Sequence, residues 1–497
     1  MNFKKITLLA LSLLMFTLPF LTACVGNEEG DKTSRADVSE DEGFPYQGNF
    51  GGKTIRILCV STERHVYGEL QFVPNDEEKG NVINDKVAAR NDLIEDLYGL
   101  KIEIASEKKP TEELKKLIMA GTCDYDIAVD SVDNMVTSVT ENIFWSLDSI
   151  LDLDNAWWDK SAIGSLTLND KHYFAAGNAL ITDDDHTYLT LFNKKMYEEN
   201  RQIEEQYGDI YQLVRDGKFT LDAFMEISKM VSHTDDNGLW GFNATYGNLS
   251  HGYGATIMVN GCGVALAEKT GDGTVQLNPG TEKAISVFNK VYSIMSDKTI
   301  TQRAELIIGQ GTSPSQYGFS ELQEMFESGR GLFYNTTSST ITRLKKSTAA
   351  LGFDFGVLPI PKFNEEQERY YCAVNRYHSS VIGIPSSNVA NIEATAFLLE
   401  ALGFYSDAVT EAYYMTTLQL QAVSDDADAE MLDIIYGNRF YDIGSIYSWG
   451  NGALVGLYSS VIKTEGTNTI VSAWDAIKSS VEADMLETIA AYQENLT

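Results

Sequence analysis

Basic residues are scarce in this chain: 38 Lys and Arg stand against 71 Asp and Glu, for a formal net charge of −33 over 497 residues. A surface of that sign repels phosphate, which argues against a nucleic-acid partner and leaves no basic patch for anionic headgroups. Cysteines are also few, and Cys24, Cys59, Cys123, Cys262 and Cys372 show no CxxC spacing. Neither a zinc site nor a disulfide framework is indicated. A Cys59–Cys123 bridge is left open, with buried free thiols the expected state. The six histidines, His65, His172, His186, His233, His251 and His378, are isolated in sequence, and no His-Glu-x-x-His pair occurs. No Gly-x-x-x-x-Gly-Lys-Ser/Thr is present, so the chain is not an ATPase of the P-loop kind. Gly450-Asn-Gly-Ala-Leu-Val-Gly456 resembles a dinucleotide turn only superficially, because no β-α-β unit surrounds it. Asp183-Asp-Asp185 and Asp235-Asp-Asn237 lack the alternating spacing of a calcium loop and are expected to be solvated. No metal and no cofactor is expected. A glycosidase pair cannot be nominated among so many acids, so a missing motif alone does not exclude an enzyme.

What is present begins with a leader. Lys4 and Lys5 precede an apolar run from Ile6 to Leu21, broken by Ser12, Thr17 and Pro19, with the charge and length of a secretory signal. It is too short and interrupted for a comfortable membrane span. The run closes on Leu21-Thr-Ala-Cys24, which resembles the bacterial lipobox, and that resemblance implies cleavage before Cys24 and lipidation of its thiol. Two acyl chains, at ~0.8 kcal/mol per buried methylene, hold a protein on a bilayer stably. Residues 1–23 are thus expected to be a lipoprotein signal peptide, and 24–52, rich in Gly, Asn, Asp, Glu and Ser, a flexible tether. The expected location is the extracellular face of the cell membrane, held by the lipid anchor only.

The remaining length is too great for one compact domain, and two lobes are expected. Thr54–Val60 reads as a buried strand, followed by a helix after Asn81 whose Ile83, Val87, Ile94, Leu97 and Tyr98 share a face and which Gly99 stops. Lys101–Ser106 alternates as a second strand, Thr111 is expected to cap a helix ending at Gly121, and Tyr125–Ser131 is a third strand. A β-α-β-α-β run of this kind requires a parallel sheet with helices on its faces. Further on, Thr220 caps a helix, and Ala284, Val287, Phe288, Val291, Tyr292 and Met295 form a helical stripe. Ser320-Glu-Leu-Gln323 reads as a capping box, Gly331–Thr336, Phe353–Pro359 and Val381–Pro385 read as strands, and helix dominates from about Asn391.

Several segments, in order, carry a family resemblance: Tyr125-Asp-Ile-Ala-Val129, Leu191-Phe-Asn-Lys194, Phe219-Thr-Leu-Asp-Ala-Phe224, Gly238-Leu-Trp-Gly-Phe242 and Phe326-Glu-Ser-Gly-Arg-Gly-Leu-Phe333. Behind a lipobox they resemble the extracellular sugar-type solute-binding lipoproteins of ABC importers. Leu221 and Phe333 depart from that pattern, where a polar residue and a methionine are usual. The resemblance implies an α/β, two-lobed, type 2 periplasmic-binding-protein-like fold with a hinge and an interlobe ligand cleft. The lobes would be 53–178 plus 345–410 and 179–344 plus 411–497, crossed about three times by the chain. The function implied is capture of a small solute, a sugar or oligosaccharide, by a monomeric receptor that performs no reaction and delivers its cargo to ABC permease subunits. A surface carbohydrate-processing enzyme and a non-transport adhesion module are the alternatives.

A sugar site needs flat aromatic faces and planar hydrogen-bonding groups, and strand ends facing the cleft are where to seek them. The turn after the first strand offers Thr62, Glu63 and Arg64, and the third ends in Asp130 and Ser131, where the resembling proteins often place contacts. Asn335, Thr337 and Ser338 follow Phe333, and Tyr447 and Trp449 lie where the family often presents an aromatic side chain. Trp449, in a glycine-rich turn, is expected to form a stacking wall, with Asp130 or Arg64 taking hydroxyls from the other lobe. Trp157, Trp158 and Trp240 are expected to pack, although Trp157 is placed where it could line the cleft.

Overall fold

The computed structural model describes residues 43–271, 273–347, 352–421, 426–464 and 466–494. The leader and Cys24 lie outside the described residues. Two mixed sheets organise residues 46–497, and the chain visits them in turn.

The first sheet is begun by β1 (Lys53–Val60), β2 (Leu100–Glu107) and β3 (Ile127–Ser131), all parallel, with β1 between the others. Parallel strands need helical crossovers. Asn81 caps the first of them, Val82–Tyr98, by accepting from the Ile83 N–H, and Gly99 ends it in the left-handed region at φ 62°. Leu97, expected on the buried face, is 43% exposed instead. In the second crossover, Pro110–Ala120, Thr111 is not the cap: the helix opens on Pro110, and the Thr111 N–H and hydroxyl both donate to Asp130 on β3. A proline at the first position needs no donor of its own.

The second sheet runs in the order β8 (Phe355–Leu358), β4 (Tyr188–Asn193), β7 (Gly331–Thr337), β5 (Tyr246–Ser250), β6 (Thr301–Arg303). β5, β6 and β7 are parallel, whereas β4 runs against β7 and pairs on its other side with β8. Phe326, Tyr334, Leu322 and Val357 meet in a core against this sheet. The capping box expected at Ser320 does not form, because Gly318 at φ 76° is the cap and Ser320 already lies in the helix Phe319–Glu327.

β9 (Ser380–Gly383) returns antiparallel to the edge of the first sheet, beside β3. Residues 355–358, expected in the first lobe, therefore pair in the second sheet, and the return begins after Leu358. Helix Ile392–Tyr405 then packs on β1, Asp407–Gln421 touches helices associated with both sheets, and Asp426–Gly437 packs on β8. The chain thus passes between the sheets after β3, after β8 and along Asp407–Gln421, giving the two-lobed arrangement with three connections.

Part of the expected tether is bound to the domain. The Phe50 N–H donates to the Tyr98 carbonyl at 2.8 Å, the Gly52 N–H to that of Gly99 at 2.8 Å, and the Phe50 ring lies 5.0 Å from that of Phe397. Phe50 and Tyr46 supply aromatic groups of a kind that residues 24–43 lack. Cys59, Cys123, Cys262 and Cys372 are all free, and burial pushes the thiols of Cys59 and Cys372 up to about 12. Among the described residues no helix is long and apolar enough to cross a membrane.

Candidate functional site

Arg64, leaving β1, bonds Tyr377 beside the end of β3, Tyr377 meets Tyr253 leaving β5, and the Gly252 N–H bonds Glu305 leaving β6, so residues leaving these carboxyl ends come together and build the site. Arg64 follows β1, and the structure does bring it together with Asp130 and Ser131, as strand order implies. Its Nη1 donates to Asp130 Oδ1 at 3.0 Å and to the Lys108 carbonyl at 3.1 Å, and its Nη2 to Ser131 Oγ at 2.9 Å and the Tyr377 carbonyl at 3.0 Å. All four terminal N–H groups of Arg64 thereby find protein acceptors. Asp130 is fully buried and also accepts from Thr111, the Ser131 N–H and Asn134. In this arrangement Arg64 and Asp130 hold the return segment at Tyr377 against the end of β3. Glu63 points away, paired with Lys108 in solvent.

The remaining nominated residues are interior. Asn335 bridges β7 to its neighbours, accepting from Thr190 Oγ1 at 3.1 Å and donating to Asn248 Oδ1 at 2.6 Å. Thr337 shares a hydrogen bond with Ser339 at 2.9 Å, and the Ser338 hydroxyl donates to the Asp184 carbonyl. Trp449 is 0% exposed; its indole N–H donates to Thr488 Oγ1 at 3.0 Å and its ring stacks on Tyr447 at 5.4 Å. Tyr447 in turn donates to the Leu166 carbonyl at 2.7 Å. The stacking wall expected of Trp449 and Tyr447 is therefore not formed. The turn's positive φ values at Ser448, Gly450, Asn451 and Gly452 fold both rings under the helix Ile470–Glu494. Trp157 and Trp158 are likewise interior, both donating to Glu400, while Trp240, 40% exposed, packs one side against Tyr246 with ring centroids 5.3 Å apart.

At these strand ends stands a row of aromatic rings that were not among the expected site residues. Tyr377, just before β9, meets Tyr253 with ring centroids 6.3 Å apart. Tyr253 lies near-parallel to His251 at 6.3 Å, His251 meets Phe319 edge-on at 5.2 Å, and Phe319 meets Tyr317 at 6.1 Å. His251 and Tyr253 leave the end of β5. Phe319 is brought to the end of β6 by Gly318, where a Cβ would stand 2.2 Å from the Ala304 carbonyl oxygen. Tyr377, Phe319 and Tyr317 are 40%, 46% and 60% exposed, so ring faces at both ends of the row meet solvent. Beneath Tyr253 lies a small cavity lined by Val132, Asn260, Arg376, Asp442 and Ser445 among others. Arg376 spans it: its guanidinium lies 4.6 Å over the Tyr377 ring, 3.7 Å from Asp133, and donates to the Ser445 carbonyl. Asp133 Oδ1 is buried with no partner, and burial raises its pKa. A signal for the row existed in His251-Gly-Tyr-Gly254, an aromatic pair between small residues directly after a strand.

The histidines are not isolated in space. His65 follows β1, His186 precedes β4 and His378 precedes β9, and all three meet at the connections. His65 Nε2 lies 2.8 Å from His186 Nδ1, and the His186 and His378 rings stack at 4.9 Å. His65, Asp185 and His186 offer metal-ligating atoms within 4.8 Å of one another. The Tyr67 N–H, however, donates to His65 Nδ1 at 3.2 Å, which places the imidazole proton on Nε2, from where it donates to His186. The pair is thus completed by its own hydrogen bond, and a metal would have to displace that proton. Burial is the main cause lowering His65 to about 3 and His378 to about 4, and it holds His186 well below the usual range. Asp183-Asp-Asp185, expected to be solvated, is packed here instead: Arg439 donates to Asp183 at 2.8 Å and Asp184 at 2.7 Å, and Tyr413 donates to Asp185 at 3.1 Å.

No protein-family profile matches the sequence, and no curated protein matches it. Solved structures do match in fold. The cyclic α-maltosyl-1,6-maltose binding protein of Arthrobacter globiformis shares 11% identity at a TM-score of 0.58, over 88% of this chain and 99% of its own. UgpB from Mycobacterium tuberculosis, in complex with glycerophosphocholine, shares 13% at 0.56 over 88% and 100%. The ABC substrate-binding protein Lmo0181 from Listeria monocytogenes, in complex with cycloalternan, shares 11% at 0.53 over 87% and 98%. The fold is accordingly the two-lobed α/β fold of ABC-importer solute-binding proteins.

Proposed function

We propose that this chain is an extracellular solute-binding receptor that captures a carbohydrate between its lobes and delivers it to an ABC permease, without performing a reaction. The observation that carries the reading is the ring row Tyr377–Tyr253–His251–Phe319–Tyr317, which runs between the facing strand ends of both sheets. Aromatic faces receive the apolar side of a pyranose while nearby polar groups take its hydroxyls. Several fold neighbours are described as bound to maltodextrins or cyclic glucans, which supports the solute class. The length of the row favours an oligosaccharide over a monosaccharide.

In this reading the first lobe is built on β1, β2, β3 and β9 and the second on β4 to β8, the chain acts as a monomer, and the lipid on Cys24 keeps the receptor near its permease. A ligand touching both lobes favours the closed arrangement by its differential affinity for it. The test is a thermal-shift screen of the soluble domain against linear and cyclic glucans, other oligosaccharides, amino acids and polyamines. A ligand at 100 times its dissociation constant adds about 2.7 kcal/mol. A shift with an oligosaccharide, removed by Tyr253→Ala, is expected; shifts with none of the sugars would refute the solute class. Membrane fractionation of Cys24→Ala checks the anchor, and retention equal to wild type would refute it.

A further inference from the structure

A second opening lies away from the ring row, between helices Asp407–Gln421 and Asp426–Gly437. It is a recess of about 390 Å³ lined by Asp184, Thr410, Glu411, Tyr413, Tyr414, Asp433, Tyr436 and Gly437. Two features set its chemistry. Its lining holds three tyrosine rings, with the half-buried Tyr414 and Tyr436 meeting edge-on at 61° and 6.0 Å. Among the described residues its charged lining is of one sign: Asp184, Glu411 and Asp433. We propose that this recess is a binding site for a small alkylated ammonium ion.

Tyrosine faces attract a cation within about 6 Å of the ring, most strongly where water is excluded. Burial holds the phenols of Tyr413, Tyr414 and Tyr436 well above their ordinary range, so all three rings are neutral and keep their negative faces. Glu411 and Asp433 add long-range attraction, whereas burial raises Asp184 to about 7 and Arg439 already pairs with it. Asp433 accepts from the Tyr414 hydroxyl, and Asp184 accepts from Arg439 Nη1 at 2.7 Å. A primary ammonium would compete with those donors for acceptors. A methylated ammonium asks only for field and flat surface, which this recess supplies. Asp184 belongs to the segment that enters β4, so occupancy would be felt beside the connections between the lobes.

The probes are choline and its neutral carbon isostere 3,3-dimethyl-1-butanol, titrated calorimetrically into the protein at low and at physiological salt. Choline is expected to bind at least tenfold more tightly than the isostere and to weaken as salt rises. Tyr436→Leu should remove at least tenfold of the affinity and Asp433→Asn about threefold, whereas Tyr253→Ala in the ring row leaves it unchanged. Asp433 is exposed, so Asp433→Asn tests the site even where Tyr436→Leu does not fold. Equal affinity for the two probes, no heat with millimolar choline at low salt, or loss in Tyr253→Ala with retention in Tyr436→Leu would each overturn the proposal. A carbohydrate receptor in the cleft and this site stand or fall separately, because the readouts use different residues.

Discussion

Two aromatic stretches sit among glycines in this chain, and they end in opposite places. Tyr447-Ser-Trp-Gly-Asn-Gly452 turns its rings into the interior, where Trp449 and Tyr447 satisfy their polar atoms on Thr488 and Leu166. His251-Gly-Tyr-Gly254 turns its rings toward the strand ends, where Phe319, edge-on to His251, is 46% exposed. Composition does not distinguish them. What does is the preceding element: the first follows a short helix that is itself buried, while the second leaves the carboxyl end of a parallel strand. A flexible turn serves a buried ring as well as a bound one when a long helix such as Ile470–Glu494 lies over it.

Removing the buried ring should have the largest effect. Trp449→Ala is expected to cost about 3 kcal/mol of stability or more, the range for deleting a large core aromatic. A melting curve within a degree of wild type would show that the indole is not packed as described. The exposed ring should behave in the opposite way. Phe319→Ala is expected to lower oligosaccharide affinity by about 1 kcal/mol, roughly fivefold, while the melting temperature scarcely moves. A melting temperature lowered as far as in Trp449→Ala would erase the contrast.

The histidine cluster gives a graded effect. His65, His186 and His378 have folded-state pKa values lowered by burial, so they are neutral in the native protein and bind protons only once unfolded. Their contribution is full above about pH 6.5 and is lost progressively as pH falls, for His65 toward about 3 and for His378 toward about 4, at up to about 1.4 kcal/mol per pH unit for each group. Arg64 and Arg343 face the cluster and add to the lowering at His378. Asp185, raised to about 7 by burial, works the other way and favours low pH. The difference between wild type and His378→Gln isolates one histidine: the variant should lose less stability between pH 6.5 and 5, measured by denaturant titration. Parallel curves would mean that His378 titrates normally. Smallest of all, Glu63→Ala is expected to change stability by less than about 1 kcal/mol and affinity not at all, because its partner Lys108 is equally exposed.

The same contrast explains what could be read from the chain. The β-α-β-α-β opening was legible because each signal is local: the cap at Asn81, the left-handed Gly99, the alternation through β2. Thr111 misled because its partner is Asp130, nineteen residues on and on another element. The site was harder for the same reason. Arg64, Asp130 and Ser131 were placed correctly at strand ends, but their roles depend on Tyr377, which closes the ring of acceptors from 313 residues away. The histidines at 65, 186 and 378 come together only because the chain crosses between the sheets beside all three. Trp449 was misjudged because nothing local announces the helix that covers it.

The central claim is that the solute rests on the row at the strand ends and not on the glycine-rich turn. Calorimetric titration of one oligosaccharide into wild type, Tyr253→Ala and the packing-conservative Trp449→Phe tests it most directly. The account predicts affinity at least fivefold weaker for Tyr253→Ala and equal to wild type for Trp449→Phe. Undiminished binding by Tyr253→Ala together with weakened binding by a well-folded Trp449→Phe would contradict it.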